Sequence, residues 1–401
     1  MRFLRTAPTG RLLAVIGSVI AATAAAAAIA LAATGSGPAP TAQPLASSLH
    51  QALTAKAVTG VSADINFTNN LISSSSFTGG PRDPILQGAS GRIWIANDGR
   101  LRLELQSDNG DTQVVLNKDS LWISDPASQT VYKATLPART HDRRTTPDAG
   151  GVPTVKQIQA DLNALMGHLN LSGTRTSDPT DVGGRPAYSV QLSPRHGGGL
   201  IGAAQVAWDA VTGTPLRVAI YARGDSTPVL ALQASNVSYG KLPASDFAIS
   251  PPSGYRVVKI AAPSGRNPAA PAGAAHRPIT GARDVQSHLA FRLAAPQTLA
   301  GLARHQVKLL DWGGVPSALV TYGHGLGAVA VLEQSAGGQH AAKTHVGSLS
   351  LPTVSVHGST GTELATALGT VLRYDRGGVS YTILGSVPKA TAEQAARALA
   401  P

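Results

Sequence analysis

Few residues in this chain have the types and spacing that chemistry requires. Tyr322-Gly-His-Gly-Leu-Gly327 has the glycine density of a dinucleotide-binding loop. That chemistry needs a helix directly afterwards, whose free N–H groups face a pyrophosphate. Ala328-Val-Ala-Val-Leu-Glu reads instead as a strand, and the spacing is one residue short, so a Gly-rich hairpin turn is expected. Arg195-His-Gly-Gly-Gly199 has the form of an esterase HGGG element. An esterase also needs a Gly-x-Ser-x-Gly strand–turn–helix, which the sequence lacks. His340 and His345 lack acidic or thiol neighbours and are not spaced as a helical i,i+4 pair, so zinc is not expected. Cys is absent, which excludes disulfides, thiolate metal ligands, a Cys nucleophile and a lipid-modified N-terminal Cys. Glu occurs only at Glu104, Glu333, Glu363 and Glu393, so an acid-rich site has few candidates. The expectation is a non-enzymatic protein with no catalytic residues, metal or cofactor.

The 401 residues suffice for two domains, and 43% hydrophobic with 14% charged residues allows sizeable cores. Aromatics make up 4%, so those cores should be aliphatic. Arg2, Arg5 and Arg11 precede an apolar run from Leu12 to Ala33, with small residues at its end. Residues 1–33 therefore read as a signal peptide or an N-terminal membrane anchor, and both place the remainder outside the cytoplasm. Without those three arginines, 30 basic residues face 22 acidic ones, a net charge of +8. This favours anionic surfaces such as phospholipid headgroups. Export argues against nucleic acid as a partner.

The strongest pattern lies between Gly91 and Pro137. Ile93 and Ile95 point to one face of a strand, Arg92 and Trp94 to the other. Asn97-Asp98-Gly99-Arg100 is an Asp-Gly turn of the type that closes two-residue hairpins. Leu101, Leu103 and Leu105 then alternate with Arg102, Glu104 and Gln106. Pro44–Ala57 forms an amphipathic helix with Leu45, Leu49 and Leu53 on one stripe. A second helix begins at Thr154, with Gln157 at capping-box spacing and an apolar face of Val155, Ile158, Leu162, Leu165, Met166 and Leu169. A second strand series follows through Ala187–Leu192, Ala204–Trp208, Leu216–Ala222 and Val229–Tyr239. Helix, sheet, helix, sheet without regular alternation implies an α+β fold with one large antiparallel sheet and two packing helices.

Residues 34–44 form a tether, 45–260 the large unit, and 261–283 a Pro/Ala/Gly linker. Residues 284–401 make a small α+β domain. Its expected strands are Gln306–Asp311, Ser317–Tyr322, Ala328–Glu333, Thr370–Asp375 and Ser380–Gly385. Its expected helices are Pro296–Ala303, Thr362–Leu368 and Thr391–Leu399.

Gly91, Trp94, Gly99 and Arg102, followed by Leu121-Trp122, Asp125-Pro126, Gln129 and Val131, resemble the LolA/LolB-like lipoprotein-carrier superfamily. The order of elements from Pro44 to Ile260 agrees. The resemblance implies an incomplete β-barrel whose apolar concave face is lidded by helices and holds acyl chains of a lipid or lipoprotein. The appended smaller domain is similar in order and size to the RseB/MucB branch, which implies as alternative an envelope-stress regulator gripping a membrane anti-sigma factor. In such a half-barrel the candidate ligand-binding residues are Ile93, Ile95, Leu101, Leu103, Leu105, Val114, Leu116, Leu121 and Ile123 on the sheet. Val155, Ile158, Leu162, Leu165 and Leu169 would face them from the helix. Each apolar residue has two readings, solid core or acyl pocket. Arg102 has two as well: solvated surface, or the family's Arg that helps hold the lid closed.

Overall fold

The computed structural model describes residues 39–72, 88–106, 111–117, 120–126, 128–135, 153–168, 171–173, 176–195, 199–260, 279–312, 315–336 and 351–399. Residues 1–33, the Ala138–Gly151 loop, His340, His345, Leu169, the His-Gly-Gly at 196–198 and linker residues 261–278 lie outside this set. Among the described residues no helix is long and apolar enough to cross a membrane.

The first sheet comprises β1 (Gln43–Pro44), β2 (Gly60–Asn69), β3 (Ala89–Ala96), β4 (Leu101–Leu105), β5 (Thr112–Asn117), β6 (Ser120–Asp125), β7 (Thr130–Thr135), β8 (Leu171–Gly173), β9 (Thr176–Val182), β10 (Arg185–Pro194), β11 (Ile201–Asp209), β12 (Pro215–Ala222), β13 (Pro228–Tyr239) and β14 (Arg256–Ile260). Helices α1 (Leu45–Thr54) and α2 (Val155–His168) accompany it. The strand order is β1-β9-β10-β11-β12-β13-β2-β3-β4-β5-β6-β7-β14, with β8 also beside β10. Pairing is antiparallel except between β14 and β7. Register shifts in β11–β12, β12–β13 and β13–β2 sharpen the local twist. The fold class is α+β, with this sheet curled into an incomplete barrel and helices on one face.

Local sequence explains the helix starts and tight turns. Thr154 Oγ1 accepts the Gln157 N–H at 3.3 Å, and Gln157 Oε1 accepts the Thr154 N–H at 2.8 Å. This reciprocal box satisfies N–H groups that a helix start leaves unpaired. The β3–β4 turn differs from the expected two-residue hairpin. Ala96 pairs with Arg100, and only Gly99 has positive φ, at 90°. It is a three-residue loop in which Gly99 alone takes the left-handed position.

The second sheet comprises β15 (Thr298–Leu299), β16 (Leu302–Trp312), β17 (Val315–Tyr322), β18 (Val329–Ser335), β19 (Thr353–Val356), β20 (Ser359–Thr366), β21 (Gly369–Arg376) and β22 (Val379–Gly385), in the order β15-β16-β17-β18-β22-β21-β20-β19. Helices α3 (Ala282–Gln286) and α4 (Lys389–Ala398) belong to this part of the chain. Buried Ala392, Ala395, Ala396 and Leu399 seat α4 in the core of this sheet. Two expected helices are strands. In Pro296–Ala303, Ala300 and Gly301 both have positive φ, which turns β15 back onto β16. In Thr362–Leu368, β20 pairs with β21 residue by residue, burying Gly361 and Glu363 at alternate positions. Tertiary pairing outweighs the helix propensity of Glu, Leu and Ala there. Ile279 and Gly281 hydrogen-bond to Leu309 and Val307, so residues 279–281 join this sheet, and Ala282 and Arg283 begin α3, rather than forming part of the linker. Gly323–Gly327 forms the expected glycine-rich turn and leads into β18, with no helix after it.

Candidate functional site

The register aligns the sequence-derived apolar residues on one face of the first sheet. Val61, Ile95, Leu101, Leu116 and Leu121 form one row across β2 to β6. Ala63, Ile93, Leu103, Val114 and Ile123 form the next. Beyond them lie Ile65, Phe67, Ala89 and Leu105. Through Phe67–Leu232, Leu232–Val218, Val218–Val206 and Val206–Val190 the same face continues onto β13, β12, β11 and β10. The eight interstrand spacings from β10 to β6 give an arc of about 38 Å at ~4.8 Å per strand.

Burial along this face is graded. At the end where β2 stops and β3 starts, Phe67 is 1% exposed, Ile65 3% and Leu105 4%. Leu103, in the middle row, is 2% exposed, with Ile93, Val114 and Ile123 half-buried around it. At the opposite end Ile95 is 40% exposed, and Leu101, Leu116 and Leu121 are half-buried. On the other half of the sheet Val206, Val218 and Leu232 are half-buried as well. The result is a continuous apolar face, most buried at the Phe67 end and most exposed at the Ile95 end.

The helices cover a different part of this face from the one expected. Ile158 and Leu162 of α2 join Leu45 and Ala46 of α1 against Tyr188, Val190 and Trp208. Leu103 and Leu105 pack instead with Ile65, Phe67 and Ala89. Chain connectivity is the reason. β1 leads into α1 and pairs with β9, while β8 follows α2 and pairs with β10, so both helices are tied to the β9–β11 end. Leu165 is half-buried and Val155 is 38% exposed, at the margins of the contact.

Arg102 lies on the opposite face and does not join the lining. It is ion-paired with Glu104, donates to the Asp246 carbonyl oxygen at 3.1 Å, and sits 4.6 Å from the Trp94 ring centroid. None of these partners belongs to α1 or α2, the helices on the apolar face. A polar depression of about 580 Å³ lies beside it, lined by Asp64, Asn66, Arg92, Trp94 and Glu104 among others. Much of its lining is internally paired: Arg92 with Asp64 at 3.5 Å, and Ser90 with Asn66 at 2.8 Å. Further along the outer face, Val115, Trp122 and Val131 are buried under Ile249 and Tyr255. Sequence reading missed this cover. Its signal was the apolar Val115 and Trp122 at outward positions.

Two acids away from the apolar face, Asp209 and Glu333, are fully buried. Asp209, fully buried at the end of β11, accepts Arg185 Nε at 2.9 Å, the Tyr239 hydroxyl at 2.8 Å, and the N–H groups of Val211 and Thr212 at 2.8 and 2.9 Å. Burial disfavours its charge. The hydrogen bonds from Thr212, Val211, Tyr239 and Arg185 outweigh that and hold its pKa below the usual aspartate range. Glu333, 0% exposed on β18, accepts the Ala294 N–H at 2.8 Å, and its Oε1 has no hydrogen-bond partner among the described residues. Burial pushes it up to about 8, and the Ala294 bond offsets only part of that. Among the described residues no three His, Asp or Glu side chains form a group able to hold a metal.

No family model matches the chain, and no curated protein matches it. Among solved structures, the complex of Pseudomonas aeruginosa MucA/MucB matches at 17% identity and TM-score 0.41, covering 88% of this chain and 96% of that one. MucB in complex with MucA(peri) matches at 16% identity and TM-score 0.38, covering 87% and 96%. A putative outer membrane lipoprotein-sorting protein domain from Vibrio parahaemolyticus matches at 11% identity and TM-score 0.19, covering 51% and 94%. Likenesses of this degree assign neither a partner nor an activity.

Proposed function

We propose that this chain is an exported, non-enzymatic lipid- or lipoprotein-binding protein of the cell envelope. It holds an acyl chain in a trough that the curled apolar face of the first sheet forms, closed at the Phe67 end and open at the Ile95 end. The supporting observation is the burial gradient, from Phe67 at 1% exposed to Ile95 at 40% along one continuous apolar face. The row of Ile95, Leu101, Leu116 and Leu121 at the exposed end is not among the residues that α1 and α2 cover. Ten acyl methylenes laid on this face would contribute about 8 kcal/mol at ~0.8 kcal/mol each, before the cost of ordering the chain. The basic charge and the Arg-flanked run Leu12–Ala33 favour an anionic membrane surface as the place of loading.

The Ile95→Glu/Leu116→Glu variant tests the trough. Both side chains are only partly buried, so the fold should survive, with each change costing about 1 kcal/mol. Acyl lipid recovered by extraction of the purified protein should fall at least about tenfold. Unchanged lipid content in the folded variant would remove the trough as the binding site.

A second reading gives the second sheet a protein partner, an anti-sigma factor held at the membrane. Leu384 motivates it: this residue is 54% exposed in β22, on one face with Ala330 and Val371. A photo-crosslinker at Leu384 should then capture one recurring single-span protein from native membranes. Scattered or absent adducts would count against this reading.

A further inference from the structure

Among the described residues the two sheets share no buried apolar cluster. One buried cluster runs from Val285 to Leu399 with its packed neighbours, all in the second sheet and its helices. Those of the first sheet draw only on residues up to Tyr255. The described residues of the two sheets meet through hydrogen bonds to the Ser386 backbone and hydroxyl and between Ala367 and Leu71. Leu200 N–H donates to the Ser386 carbonyl oxygen at 2.8 Å and to Ser386 Oγ at 3.1 Å, and Ile201 N–H donates to Ser386 Oγ at 3.2 Å. Ser386 Oγ in turn donates to the Leu368 carbonyl oxygen at 2.8 Å. Ala367 N–H donates to the Leu71 carbonyl oxygen at 3.0 Å. Gly199 is required at this contact. Its φ is +63°, and a Cβ there would lie 1.6 Å from the Ser386 oxygen.

We propose that Gly199–Ile201 and Ser386 form a polar latch that seats the second sheet on the closed end of the trough. Leu200 leads into β11, and Leu71 follows β2. Both strands contribute inner-face residues, Val206 and Phe67 among them. Seating therefore bears on the two strands that shape the closed end. Interfaces of this polar kind permit movement between units by default, whereas a shared apolar core does not. The latch is separable from lipid binding: it stands on these contacts whatever the trough holds.

The chain has no Cys, so an engineered pair reports the contact cleanly. Leu71→Cys/Ala367→Cys is introduced into the full chain, and disulfide formation under mild oxidation is timed without added lipid. In the parent background an intramolecular disulfide should form readily. Adding Gly199→Val should slow its formation by about tenfold, the ~1.4 kcal/mol expected when the Leu200 and Ile201 hydrogen bonds are weakened. Ser386→Ala, which leaves the backbone intact, should slow it by about threefold. Amide exchange at Ala203–Val206 should quicken in both variants, while Val331 and Ile383 in the core of the second sheet stay protected. Equal crosslinking in all three backgrounds would overturn the latch. So would loss of protection at Val331 and Ile383 in Ser386→Ala, because the two cores would then depend on each other.

Discussion

Replacing Glu333 by Gln is expected to flatten the pH dependence of stability in the second sheet. The carboxyl sits on β18, 0% exposed, with one oxygen on the Ala294 N–H. Burial raises its pKa from an ordinary 4.5 to about 8. Between those values the folded chain keeps a proton that the unfolded chain has released. The unfolded state then binds fewer protons, so stability falls as pH rises. The stabilisation is fully present below pH ~4.5 and lost by pH ~8, at about 1.4 kcal/mol per pH unit, for a total on the order of 3–5 kcal/mol. Gln keeps an oxygen for Ala294 and cannot ionise. Opening free energies from hydrogen exchange at Val331 and Ile383 should drop between pH 5 and 8 in the parent and stay level in the variant. Near pH 8 the variant should be the more stable of the two. Parallel pH slopes would show that Glu333 ionises freely, against its burial.

Asp209→Ala is expected to be the most damaging single change in the first sheet. The fully buried carboxylate gathers Arg185 from the start of β10, Tyr239 from the end of β13, and the β11–β12 turn through Val211 and Thr212. Removing it leaves a guanidinium, a hydroxyl and two backbone N–H groups without their shared acceptor. Breaking a buried ion pair from one side costs about 3–5 kcal/mol. The Arg185 side chain is 33% exposed and can recover water, which places the expected loss near the lower end, at about 3 kcal/mol. The sign with pH is opposite to that of Glu333. The Asp209 pKa is depressed on folding, so its contribution is present above the unfolded aspartate value near pH 4 and is lost as pH falls through the lower folded value. Urea titrations at pH 7 and pH 3 should therefore show a smaller gap between parent and variant at the acid end. A constant gap would mean that the ionised form matters less than the space Asp209 fills.

The strands of the first sheet were legible because alternation exposes itself in sequence. Ile93, Ile95, Leu101, Leu103 and Leu105 lie on one face as their spacing requires, and Arg102 lies on the other. The capping box at Thr154 was legible for the same local reason. What could not be read was partnership at long range. Nothing near Ile158 says that it meets Tyr188 and Trp208 rather than Leu103; that follows from β1 and β8 pairing at the far end of the sheet. The segment around Glu363 misled for a related reason. Its helix-forming residues are overruled by β21 alongside and by Lys389, whose Nζ lies 2.5 Å from the Glu363 carboxylate. The buried acids were invisible because burial is a property of the folded chain.

The trough itself is tested most directly by native mass spectrometry and lipid extraction of the full chain purified from its own envelope. A bound acyl lipid is expected at near-equal stoichiometry, and it should be lost from the folded Ile95→Glu/Leu116→Glu variant. A protein recovered without acyl lipid, with Ile95, Leu101, Leu116 and Leu121 packed against its own chain, would contradict the trough as a lipid site.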